Sequence, residues 1–130
     1  MVGIDSETTT AGYRVHRYTG DPNRAGDAGR DTLSWLREAQ DRGAGEIVLN
    51  CMASDGVRRG YDLTQLSPIR AACRVPLVAS GGAGSVQHFV DVFRQARVDA
   101  ALAASVFHSG EIAIPDLKKA LQRAEIEVRL

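Results

Sequence analysis

The chain is short of cysteine and carries no excess of charge of either sign. Its two cysteines, Cys51 and Cys73, stand apart with no metal-ligand spacing, so they are expected to be reduced packing residues. No metal site and no cofactor are expected. Sixteen Lys and Arg balance sixteen Asp and Glu, which argues against a dedicated nucleic-acid or polyanion surface, because such binding draws on surplus basic charge. Long apolar runs are also lacking: the longest, around Ala100 to Phe107, falls far below the roughly 20 residues a spanning helix needs. With nothing resembling a signal peptide, a cytoplasmic protein without membrane contact is the expectation. What remains, 130 residues at 44% hydrophobic and 25% charged, suits one domain over residues 1–130.

Short apolar runs alternate with longer amphipathic stretches. Val2 to Asp5, Glu46 to Asn50, Pro76 to Ser80 and Ala100 to Ala104 read as strands. Thr32 to Arg42, Leu63 to Cys73, Val86 to Ala96 and Pro115 to Ala124 place apolar residues at helical spacing. Gly43 stops the first of these helices, and a proline opens the last, where its missing N–H costs little. Strands that are continuously apolar are buried on both faces and therefore parallel. The pattern is four βα units.

Two glycine- and serine-bearing segments carry the most information. LVASGGAG, Leu77 to Gly84, and ALAASVFHSG, Ala101 to Gly110, each leave an apolar strand through small residues into a helix-forming stretch. Small residues let backbone N–H groups approach a phosphate oxygen, and a helix start favours an anion. In (βα)8 barrels the common phosphate site lies in the loops after the last two strands. The strand-like runs also end in Asp5, Asn50, Ser80 and Ser105, polar residues that a barrel would gather on its active-site rim. Taken singly, each is equally an ordinary strand-end or capping residue.

Tyr13 to Gly20, YRVHRYTG, interrupts this rhythm with alternating stretches. It reads as a β-ribbon or lid inserted after the first strand, or as an exposed hairpin, joined to the first helix by a mobile polar link over Asp21 to Arg30. His16, His88 and His108 fall in the ribbon, on a helix and after the second cradle, and are taken as structural or solvent-facing.

GAGEIVLNCMASDGVRRGYDL (Gly43 to Leu63), VPLVASGGAGSVQHFVDVF (Val75 to Phe93) and DAALAASVFH (Asp99 to His108) resemble the cyclase subunit of imidazole glycerol phosphate synthase, from the histidine pathway. VGIDS at the start and EVRL at the end fit the same family. The resemblance implies an α/β fold, the (βα)4 second half of a TIM (βα)8 barrel of roughly 250 residues, with four parallel strands and the inserted ribbon. It also implies a lyase that turns a doubly phosphorylated formimino-ribulosyl nucleotide and ammonia into imidazole glycerol phosphate and an aminoimidazole carboxamide ribotide. Ammonia comes from a glutaminase partner. The family uses two carboxylates on opposite sides of the barrel. One, at the end of the barrel's first strand, has no counterpart here.

Carried over residue by residue, the resemblance makes Asp5 and Asp55 the catalytic candidates, Asp5 as one half of the acid/base pair and Asp55 shaping the rim with Gly56. Gly81, Gly82, Ala104 and Ser105 are expected to hold the phosphate of the glycerol-phosphate end. Asn50 and Ser80 face the same mouth and suit substrate hydroxyls, and Thr19 matches a position close to substrate. Glu46, at the opposite end of its strand, matches one member of a charged gate for ammonia.

A four-stranded parallel half-barrel leaves two edge strands and an apolar face open to water. Two copies around a two-fold axis close the ring. A homodimer or higher even oligomer is therefore expected, or pairing with a separate first half-barrel. An initial Met followed directly by a strand suits a chain divided at that boundary. Phosphate binding with little or no turnover is expected of the chain alone, and the alternative to a complemented lyase is a non-catalytic, self-assembling phosphate-binding half-barrel.

Overall fold

Strand β1 runs from Val2 to Thr9 in the computed structural model, which describes residues 1–129. It is longer than its apolar start predicts because it changes partners along its length. Val2 to Ser6 pairs in parallel with β4, Ile47–Cys51. Asp5 to Thr9 pairs antiparallel with β2, Gly12–Arg17. Between Val2 and Ile4 one edge of β1 therefore carries no β2 partner.

The segment expected to be a mobile link is instead ordered in part as a strand, β3, Gly26–Asp31, antiparallel to β2. Polar groups hold it where apolar ones are missing. Arg14 Nε donates to Asp27 Oδ2 at 3.1 Å, and Asp27 Oδ1 accepts the Gly29 N–H at 2.6 Å. Asp31 then caps helix α1, Thr32–Asp41, by accepting the N–H groups of Leu33 and Ser34 at 2.8 and 3.3 Å. The antiparallel ribbon thus starts in the tail of β1 and has a third strand.

Strand β5, Leu77–Ser80, lies parallel to β4, and β6, only Ala100–Ala101, lies parallel to β5. The sheet order is β3-β2-β1-β4-β5-β6. Helix α2 is Leu63–Ala72 and α3 is Val86–Asp91. The expected helix from Val86 to Ala96 is continuous but changes register: Val92–Ala96 is a π-helical turn, closed by Arg97 at φ 54°. A four-residue helix α4, Ser105–His108, precedes α5, Ile114–Arg123. Among the described residues no helix is long and apolar enough to cross a membrane.

The two faces of the parallel strands differ. Ile4, Ile47, Leu49, Leu77 and Ala79 are buried against Leu36, Leu66, Ile69, Phe89 and Val92 of the helices. Ser6, Thr32 and Gln65 are sealed into the same layer, where Ser6 Oγ and Thr32 Oγ1 lie 2.7 Å apart and Gln65 donates to Ser6. The other face, with Gly3, Asp5, Val48 and Asn50, stays partly open to solvent.

Candidate functional site

Parallel pairing sets Asp5, Asn50 and Ser80 side by side, since their Cα partners are Asp5 with Asn50 and Asn50 with Ser80. Asn50 and Ser80 end their strands on the open face, and Asp5 lies near the end of the part of β1 that pairs in parallel, so their side chains meet at one rim. Asn50 Nδ2 donates to Asp5 Oδ1 at 3.0 Å, and Ser80 Oγ donates to Asn50 Oδ1 at 3.1 Å. Thr19, in the loop after β2, reaches back over β1 and its hydroxyl donates to Asp5 Oδ2 at 2.5 Å. Both carboxylate oxygens of Asp5 are thereby oriented. A continuous row of side chains, Thr19–Asp5–Asn50–Ser80, crosses the rim.

Beside this row lies a cavity of about 130 Å³ lined by Asp55, Gly56, Arg58, Ser80 to Ala83 and Leu102 to Ser105. Both glycine- and serine-bearing loops therefore contribute to a single cavity, together with Asp55 and Gly56. Asp55 and Gly56 lie in a turn closed by the Val57 N–H on the Ser54 carbonyl at 3.2 Å, with Gly56 at φ 73°. Both residues line the cavity from this turn. The N–H groups of Gly82, Ala83 and Ser105 have no protein acceptor among the described residues. Such groups suit an anion of small size.

What makes the cavity possible is the absence of side chains between two loops. Gly82 has φ 109°, and a Cβ there would sit 2.0 Å from the Gly60 carbonyl oxygen. A Cβ on Gly84 would sit 2.1 Å from the carbonyl oxygen of Arg58. Gly82 was expected to give phosphate room; its missing side chain also gives room to the neighbouring loop. Gly60 N–H donates to the Gly82 carbonyl at 2.8 Å, and the Tyr61 hydroxyl donates to the Leu102 carbonyl at 2.9 Å. The loop from Ser54 to Tyr61 is so tied to both cradles. Tyr61 stands edge-on to Phe89, with ring centroids 5.7 Å apart, and burial pushes its phenol well above the usual range.

Glu46 stands apart, before the start of β4, where its carbonyl accepts the Val2 N–H at 2.8 Å. Two histidines keep structural positions, His16 Nε2 lying 2.7 Å from Glu7 and His88 Nδ1 accepting the Gly84 N–H at 3.0 Å, and His108 is exposed. Cys51, next to Asn50 but turned into the core, is an inert thiol whose pKa burial pushes up to about 12.

A family model described as histidine biosynthesis protein matches residues 1–113. The chain belongs to this family. It is 64% identical over 130 residues to imidazole glycerol phosphate synthase subunit HisF of Xanthomonas euvesicatoria pv. vesicatoria, with 99% of the chain and 50% of that relative covered. The same-named subunits of Xanthomonas axonopodis pv. citri and Stenotrophomonas maltophilia are 63% and 62% identical, again over 99% of the chain and 50% of the relative. The chain spans about half the length of these histidine biosynthesis relatives.

One group at the site escaped sequence reasoning. Arg58 lines the cavity and pairs with Glu111, yet in VRRG it looks like any surface arginine. His88, read as structural from the sequence, locks Gly84, although the sequence does not show which group it holds. The only available signal was the glycine spacing at 82 and 84, which marks two loops in close approach.

Proposed function

We propose that this chain is the second half of the cyclase barrel of imidazole glycerol phosphate synthase, and that its cavity takes the phosphate of the substrate's glycerol-phosphate end. The observation that supports this is the convergence of both small-residue loops on one cavity, with unpaired N–H groups from each. Gly81, Gly82, Ala104 and Ser105 cradle the phosphate. Asn50 and Ser80 meet the hydroxyls of the chain leading away from it. Asp5 exchanges a proton with the reacting end, its carboxylate oriented by Thr19 and Asn50, while Asp55 closes the rim. The second carboxylate and the second phosphate site come from whatever completes the barrel, and ammonia from a glutaminase subunit by way of the end marked by Glu46.

Inorganic phosphate tests the cavity directly. A ligand bound only by the folded state raises the melting temperature, with about 2.7 kcal/mol of stabilisation at a hundredfold excess over Kd. Phosphate at about 10 mM should therefore raise Tm relative to chloride of equal ionic strength. No rise removes the reading. Turnover should appear with ammonium salt and a first half-barrel supplied in trans, and be weak or absent without it.

The second reading, a self-assembling half-barrel that binds phosphate without catalysis, is favoured by the open sheet. β6 offers a free edge, β1 offers another over Val2 to Ile4, and Leu102 is 45% exposed. Two copies can cover all of these. Light scattering at micromolar concentration should show a dimer or higher even oligomer, and a stable monomer would rule out closure between copies.

A further inference from the structure

We infer that Arg58 is an exchangeable counter-ion of the phosphate cavity, whose guanidinium trades the Glu111 carboxylate for a bound phosphate. This rests on the phosphate reading above.

Charge balance raises the need for it. The charged residues lining the cavity are Asp55 and Arg58. Backbone N–H groups bring only partial positive charge, and the Asp55 carboxylate opposes a phosphate dianion. Arg58 is the one full positive charge among the lining residues, and it is occupied by Glu111.

The backbone of Arg58 is fixed while its head is free to change partners. Arg58 has φ 62°, a conformation that side chains other than Gly seldom adopt. Its carbonyl and Cβ lie so close to Gly84 that this loop has no room to shift toward it. The guanidinium, by contrast, forms an ion pair in which the side chains are 38% and 50% exposed. Exposed pairs of this kind hold weakly, whereas a guanidinium fork on phosphate makes strong charge-assisted bonds. Glu111 has other support: the Ser109 hydroxyl donates to it at 2.8 Å, so it can lose the arginine and remain in place.

The test is calorimetric titration of the full chain with inorganic phosphate at fixed ionic strength. Arg58→Ala should bind about tenfold more weakly, as expected for the loss of one charge-assisted contact. Arg58→Lys should recover part of that loss. Glu111→Gln, which frees the arginine without touching the cavity, should bind roughly three- to tenfold more tightly. In the double variant the gain should vanish, because Glu111 acts only through Arg58. If the wild type binds phosphate but Glu111→Gln gains nothing, or the double variant keeps the gain, the exchange is wrong and the cavity stands. If the wild type binds no phosphate, the cavity reading falls and the exchange with it. Should Arg58→Ala fail to fold, Glu111→Gln decides alone, since a gain supports the exchange and no gain overturns it.

Discussion

The cavity beside Gly82 is walled largely by main chain, whereas the row from Thr19 to Ser80 consists wholly of side chains. The first exists because glycines let two loops lie in direct contact, with Gly60 N–H donating to Gly82. The second exists because parallel pairing puts Asp5, Asn50 and Ser80 in register. A site made of backbone is sensitive to any added Cβ. A site made of side chains is sensitive to the chemistry of each group and little else. Substitutions in the two regions should therefore fail in different ways, the first in folding and the second in function.

The largest effect is expected at Gly82. Gly82→Ala adds a Cβ 2.0 Å from the Gly60 oxygen at a positive φ, combining overpacking with backbone strain at a cost of about 3–5 kcal/mol. Gly12→Ala carries a similar φ of 101° but meets nothing within 4 Å, so it should cost only about 1–2 kcal/mol. Denaturant midpoints of the two variants separate contact from strain. Equal losses would show that the loops at Gly82 can part, and that the cavity wall is softer than its geometry implies.

Asp5→Asn should do the reverse. The amide keeps the shape, and Asp5 sits at a half-open rim, so stability should move by less than about 1 kcal/mol. Under the proposed function, turnover in a barrel completed in trans should fall by about 10²–10⁴, the usual worth of a general acid or base. Full activity in Asp5→Asn would take the carboxylate out of the chemistry and leave the row as a structural feature.

How far the sequence discloses each region follows from the same difference. Apolar runs and helical spacing locate the parallel part of the sheet and the main helices, because burial on one or both faces repeats along the chain. Asp5, Asn50 and Ser80 are visible as polar ends of apolar runs, and the small-residue loops as breaks before helices. β3 is not visible: Gly26 to Asp31 has no alternating apolar pattern, and it is held by Arg14 and Asp27 across the ribbon. Nor is the π-helical turn, which keeps the helical apolar spacing through Ala96. Arg58 is hidden for a third reason, since what defines it is contact with Gly84 and Glu111, 26 and 53 positions away, and no local pattern encodes such distances.

Neighbours on β4 sharpen the contrast between the rim and the core. Asn50 faces the rim, while Cys51 is buried, with its pKa pushed from 9.0 to about 12. A raised pKa stabilises the fold fully below the unfolded value and is lost as pH rises through the folded one. Between about pH 9 and 12 stability should therefore decline, by up to about 1.4 kcal/mol per pH unit for one such group. Urea unfolding at pH 8, 9 and 10 should show the decline, and Cys51→Ala should make it shallower. An unchanged slope in that variant would show that the Cys51 thiol does not set the decline.

Thr19 gives the smallest and most telling effect. Its hydroxyl makes the 2.5 Å bond to Asp5 from an exposed loop, so water can replace it and Thr19→Val should cost under about 0.5 kcal/mol of stability. What water cannot replace is direction. With one oxygen of Asp5 released, the carboxylate samples more orientations, and turnover in the completed barrel should fall about three- to tenfold, with the loss in kcat rather than KM. Thr19→Ser should restore it, because the donor returns. A loss confined to KM would instead place Thr19 against the substrate, and the ribbon would then belong to binding rather than to the alignment of Asp5.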